Sequence, residues 1–73
     1  MHTLIVRDHT GDSRHYFDPN EDLEVLDAER RFRELSEAGY TAAKRAANGT
    51  SKGIHQFDPT VSETLFIPRL VGG

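Results

Sequence analysis

The 73-residue chain lacks cysteine altogether, and its continuous apolar runs are short. Without thiols it can form no disulfide, no thiolate metal site and no cysteine nucleophile. The apolar run near its start is Leu4-Ile5-Val6, far shorter than a signal peptide or a membrane span requires. We therefore expect a soluble protein of a reducing compartment, the cytoplasm, with no membrane partner.

The small size of the chain also limits what it can do. At 8.2 kDa it forms one small domain, and such a domain buries too little surface to enclose a deep substrate cavity. Its histidines lack the helical spacing of a metal-binding pair, and no cysteine joins them; they are His2, His9, His15 and His55. We expect no catalytic residue, no metal site and no cofactor, and hence a protein that is not an enzyme.

The charge balance is acidic and uneven. Residues 1–38 carry five basic and ten acidic side chains, a net of −5, whereas residues 39–73 carry four basic and two acidic, a net of +2. The one basic cluster is Arg30-Arg31-Arg33, and it sits among acidic residues at the spacing of helical ion pairs. A chain without a basic face binds phosphate backbones poorly, so nucleic acid is excluded as a partner.

The first part of the chain predicts a hairpin followed by a helix. Residues 2–7 and 13–17 read as strands, joined by a turn that contains Gly11. A helix is predicted over residues 19–38, with Asp18 as its cap, Pro19 in its first turn and Gly39 after its end. Its apolar stripe, spaced three, four and three residues apart, is formed by Val25, Ala28, Phe32 and Leu35.

The second part predicts three more strands. We place them at residues 40–46, 54–57 and 64–67, with a loop over residues 48–53 and a short helical turn near residues 59–63. One helix must then cover one face of a mixed sheet in the order ββαβββ, an α+β fold. The aromatic residues expected in the core are Phe17, Phe32, Phe57 and Phe66.

The last five residues are Arg69-Leu70-Val71-Gly72-Gly73, which we expect to form a flexible tail on a domain of residues 1–68. Two glycines have no Cβ atoms and wide backbone freedom. They can therefore pass through a channel too narrow for other residues and present the Gly73 carboxylate to a partner's active site.

These features resemble the ubiquitin-like β-grasp superfamily. Ubiquitin ends Leu-Arg-Leu-Arg-Gly-Gly, and molybdopterin-type sulfur carriers often end Phe-Pro-Pro-Val-Ala-Gly-Gly. The segment from Ile67 to Gly73 matches the first proline and both glycines of the latter. The chain looks most like bacterial ubiquitin-like proteins that accompany E1-like and E2-like enzymes.

The resemblance implies a protein modifier. An E1-like enzyme would adenylate Gly73 with ATP and Mg²⁺, an E2-like carrier would receive it as a thioester, and a metalloprotease could remove it from its target. Arg69, Leu70 and Val71 would contact these partners. Two alternatives stay open: a sulfur carrier with a thiocarboxylate at Gly73, or a non-covalent adaptor or virion component.

Overall fold

The structure, a computed structural model, describes residues 1–68. Its elements are β1 (His2–Asp8), β2 (Gly11–Phe17), α1 (Asp22–Glu37), β3 (Tyr40–Arg45), β4 (Ser51–Ile54) and β5 (Glu63–Pro68). The strands form one five-stranded sheet in the order β2-β1-β5-β3-β4. Strand β5 runs parallel to β1, whereas the other neighbouring pairs are antiparallel. The predicted α+β class is confirmed, and the arrangement is consistent with a β-grasp fold.

The core lies between helix α1 and one face of the sheet. Its buried members are Leu4, Phe17, Ala28, Phe32, Ala42 and Phe66. Phe32 joins the helix to the sheet, because its ring packs edge-on against Phe66 with centroids 5.5 Å apart. Phe57 closes the cluster from the loop after β4, with centroids 5.8 Å from Phe17 and 6.0 Å from Phe32. The predicted helical stripe and aromatic core are thus confirmed.

The helix begins later than the sequence predicts. Asp18 does not cap it: its carboxylate accepts the backbone N–H of Asn20, 2.9 Å away, in a local turn. Glu21 occupies the N-cap position and makes no side-chain capping bond. The helix ends as expected, since Gly39 takes a φ of 100° just after it and donates its N–H to the carbonyl of Ser36.

Strand β4 also lies elsewhere than predicted. The pairing runs from Arg45–Ser51 to Ala42–Ile54, so the strand starts directly after a tight turn in which Gly49 has a φ of 88°. The predicted strand over residues 54–57 is wrong after Ile54, because Phe57 leaves the sheet to enter the aromatic core. No helical turn forms over the predicted residues 59–63. The chain makes a four-residue turn there, in which the Val61 N–H donates to the Asp58 carbonyl 3.2 Å away.

Candidate functional site

The predicted site residues, Arg69, Leu70, Val71, Gly72 and Gly73, lie outside the described residues. What the structure supplies is the strand to which they are attached. Strand β5 is the third of the five strands, and its last residue, Pro68, pairs with Tyr40 of β3. The five terminal residues therefore follow the central strand of the sheet.

Alternating residues of β5 serve the two faces of the sheet. Phe66 points into the core and is fully buried, whereas Ile67 faces the side without a helix and keeps 43% of its surface exposed. Pairing of β5 with β1 ends at Val6–Phe66, and pairing with β3 continues to Tyr40–Pro68. The last two residues of β5 are thus paired with β3 only, which suits Pro68 because proline has no backbone N–H to donate to a second neighbour.

The sheet face opposite the helix, which we call the open face, has a buried apolar centre. Ile5 and Leu65 pair across β1 and β5 and are only 3% and 6% exposed, although no helix covers them. Ala43 of β3 continues the same row. Long side chains at neighbouring register positions surround this row, and their aliphatic stems can shield it from water.

Charged side chains rim the open face. The Arg7 guanidinium lies 3.2 Å from the Asp12 carboxylate, and that of Arg45 lies 4.0 Å from the Glu63 carboxylate. Arg14 stands opposite Ile5 in the register of β1 and β2. An apolar centre with a polar rim is the general layout of a protein-binding surface, and here it lies beside the end of β5.

Sequence reasoning did not single out this open face. The signal was available in two runs, Leu4-Ile5-Val6 and Leu65-Phe66-Ile67, in which consecutive residues are apolar. A strand with one solvent-exposed face alternates apolar and polar residues. A run that is apolar at every position indicates that both faces of the strand are buried or that one of them is an apolar surface able to bind a partner. These runs lie in the central strand, β5, and in its parallel neighbour, β1.

The carboxyl groups with shifted pKa values outside the helix belong to turns. The Thr10 hydroxyl donates to Asp8 and holds the pKa of that carboxyl below its ordinary value, and the Thr10 N–H adds to the effect. Thr60 lowers the pKa of Asp58 through the same pair of hydrogen bonds. Both shifts therefore have a structural cause, the stiffening of a loop.

Open grooves flank the helix. One, of about 510 Å³, lies between α1 and the loop after β4, with Phe32 and Phe57 among its lining residues. Another, of about 450 Å³, lies between α1 and the β1–β2 hairpin, with Leu4 and Leu35 among its lining residues. Within the described part of the chain, no three His, Cys, Asp or Glu side chains come close enough together to share a metal ion.

The chain's two lysines stand directly opposite each other on β3 and β4. Lys52 is exposed and Lys44 is half-buried. With the amino group of Met1, they are the amines of this chain that could accept an acyl group.

Comparison of the chain with known protein families, with curated proteins and with solved structures finds no match to any of them. Among residues 1–68, no helix has the length and apolar character needed to cross a membrane.

Proposed function

We propose that this chain is a ubiquitin-like protein modifier, activated at the carboxylate of Gly73. The observation that carries the proposal is the position of Gly72-Gly73, which follow the central strand of a β-grasp-like sheet after three further residues. A narrow, side-chain-free end attached to a rigid domain suits delivery of a carboxylate into an enzyme's active site.

The chemistry follows from a carboxylate that needs activation. Its oxygen attacks the α-phosphorus of ATP in the E1-like enzyme, which forms an acyl-adenylate and releases pyrophosphate. A thiolate of the enzyme then attacks the acyl carbon and displaces AMP, and the resulting thioester passes to an E2-like carrier. An acceptor amine finally attacks the thioester, forms an amide and releases the thiol.

The open face supports this proposal as the surface that partners recognise. It presents Ile67, 43% exposed, one residue before the end of β5. The ion pairs of Arg7 with Asp12 and of Arg45 with Glu63 surround its apolar row. A partner that covers this face holds the domain beside the segment it must react with, which is how remote binding contributes to orientation of the reacting group.

The reaction needs ATP and free thiols together, which places it in a reducing compartment such as the cytoplasm. A bacterial host with an E1-like enzyme, an E2-like carrier and a deconjugating metalloprotease would supply the whole cycle. The chain itself would act as substrate throughout and would bring neither a catalytic residue nor a cofactor.

The proposal is tested in the host with the full chain carrying an N-terminal tag. Denatured extracts should contain adducts of higher mass, some lost on reduction (thioesters) and some resistant to it (amides). A variant without Gly72 and Gly73 should form neither, whereas a Lys44→Arg/Lys52→Arg variant should still modify other proteins. Absence of adducts with the wild-type chain would falsify the proposal.

The intact mass of the purified chain separates the alternatives. A free carboxylate at Gly73 gives the mass of the sequence, and a thiocarboxylate is heavier by the difference between sulfur and oxygen, which would establish a sulfur carrier. If neither adduct nor thiocarboxylate forms and partner binding survives deletion of Gly72-Gly73, the chain is a non-covalent adaptor or virion component.

A further inference from the structure

The two edges of the sheet differ in how well they are protected against pairing with another strand. Strand β4 has four residues, of which Lys52 and Gly53 both discourage pairing. Strand β2 has seven residues without proline or lysine, and it pairs residue for residue with β1 without a bulge. The exposed edge of β2 is therefore the place at which this sheet can be extended.

The hairpin register shows which backbone groups of β2 are free to pair. Asp8 and Gly11 are partners with only two residues between them, so they form the hydrogen-bonded pair that closes the hairpin. Hydrogen-bonded and non-hydrogen-bonded pairs alternate along an antiparallel ladder. It follows that Asp12, Arg14 and Tyr16 direct their N–H and C=O groups away from β1.

These three residues also decide the geometry of any pairing between two copies. Their partners in β1 are Arg7, Ile5 and Thr3, so their side chains lie on the open face. A β2–β2 ladder must join outward-directed groups to each other, and opposite residues share a face. Two antiparallel copies would therefore keep both open faces on one side and both helices on the other.

Charge and the length of the paired segment together select one register among those that remain. A two-fold axis at Asp12 sets Asp12 against itself, an axis at Arg14 sets Arg14 against itself, and an axis at His15 sets Asp12 against Asp18. An axis at Tyr16 sets Arg14 against Asp18, but Asp18 lies beyond β2 and the two strands then overlap only at residues 15–17. An axis at Ser13 overlaps residues 11–15 and places Asp12 of each copy opposite Arg14 of the other. Like charges directly opposite destabilise a sheet and opposite charges stabilise it.

The geometry points to a homodimer in which two copies of this chain pair through β2, centred on Ser13. Among residues 1–68, Arg14 makes no ion pair within its own chain. Asp12 already lies 3.2 Å from Arg7 through one carboxylate oxygen. Pairing would add the second copy's Arg14 to Asp12, so that Arg7, Asp12 and Arg14 form a charge ladder across three strands.

This inference is independent of the proposed modifier function. Strand β1 separates β2 from β5, so pairing through β2 does not involve the strand that leads to Gly73. The dimer is measured with purified protein alone, whereas the modifier proposal depends on the host's enzymes, and the two can fail separately.

The test is sedimentation equilibrium of the full chain between about 10 μM and about 1 mM, a range that captures weak dimers. A reversible monomer–dimer equilibrium is expected, weakened by salt because the selecting charges are exposed. Asp12→Arg and Arg14→Asp should each raise Kd roughly tenfold or more, since each turns two attractive pairs into two repulsive ones. Lys52→Glu on the opposite edge should leave Kd unchanged.

The decisive experiment mixes the two charge-reversed variants, Asp12→Arg and Arg14→Asp. In the mixed dimer, two positive positions of one copy face two negative positions of the other, so an equimolar mixture should dimerise where neither variant does alone. Amide exchange at Asp12 and Arg14 should also slow as the wild-type concentration rises. A monomer at about 1 mM, a Kd unmoved by both reversals, or a mixture that stays monomeric each overturns the inference.

Discussion

Asp27 connects the helix to the hairpin through charge. Its carboxylate accepts from Arg30 and from Arg31, the latter at 3.3 Å, and it lies 3.3 Å from the His15 ring nitrogen of β2. The hydrogen bond from Arg30 is the main cause that holds the pKa of Asp27 below its ordinary value, and Arg31 adds to it. Because the side chain keeps 34% of its surface exposed, water screens the cluster and its contribution to stability is modest.

The lowered pKa of Asp27 predicts a pH dependence of stability. Its contribution is fully present above the carboxyl pKa of the unfolded chain and is lost as the pH falls through the lower folded-state pKa. We expect Asp27→Asn to reduce the free energy of unfolding at neutral pH and to flatten its decline in acid, as measured by urea denaturation across pH. Glu29→Gln is the control, since the Glu29 side chain makes no hydrogen bond or ion pair among residues 1–68. Equal acid slopes for wild type and Asp27→Asn would contradict this reading.

Gly39 sets the direction in which the chain leaves helix α1. Its φ of 100° lies in a region that side chains disfavour, and its N–H satisfies the carbonyl of Ser36. We expect Gly39→Ala to lower the free energy of unfolding by about 1 kcal/mol or more. Gly53→Ala is the matched control, because Gly53 has no positive φ and an added Cβ would approach nothing nearer than the Ala42 carbonyl at 4.0 Å. If both substitutions cost the same in chemical denaturation, the helix exit does not depend on glycine.

The N-terminus of helix α1 can be stabilised by a single substitution. Glu21 holds the N-cap position without a capping bond, so a short side chain with an oxygen acceptor should satisfy a free N–H of the first turn. We expect Glu21→Ser to raise the free energy of unfolding by about 0.5–1 kcal/mol. The same change at Glu29, in the middle of the helix, should instead lower it by a few tenths of a kcal/mol. If serine lowers the free energy of unfolding at both Glu21 and Glu29, Glu21 is not the N-cap and the helix starts elsewhere.

The elements that could be predicted are those whose signal is local and repeated. The helical stripe from Val25 to Leu35 specifies its element directly. The hairpin is also predicted, although its turn lies at residues 9–10 and Gly11, expected in the turn, is the first residue of β2. The start of the helix was misplaced because the Asp18 carboxylate forms a turn with Asn20 instead of a cap, and sequence spacing alone does not separate the two. The predicted position of β4 differs from the observed one because Phe57 buries its ring in the core instead of continuing the strand. This contact joins segments that are distant in the sequence, so no local pattern reveals it.

At the scale of the whole molecule, the sheet divides the domain into two sides with different roles. Helix α1 covers one side and forms the core, whereas the open face keeps Ile5 and Leu65 nearly buried within a charged rim. The site itself was predicted from Gly72-Gly73, which lie outside the described residues, and the open face was recognisable only once the register placed β1 beside β5. The central strand therefore joins the open face to the end of the chain that we propose to be reactive.

The central claim is tested most directly by mass spectrometry of host proteins after trypsin digestion. Trypsin cleaves after Arg69, and Val71 offers it no further site, so each modified residue should carry a Leu-Val-Gly-Gly remnant joined through the Gly73 carbonyl. The account predicts this remnant on amine side chains of target proteins, present with the wild-type chain and absent when Gly72 and Gly73 are deleted. Recovery of only the unmodified C-terminal peptide, free at Gly73 or extended beyond it, would contradict the account.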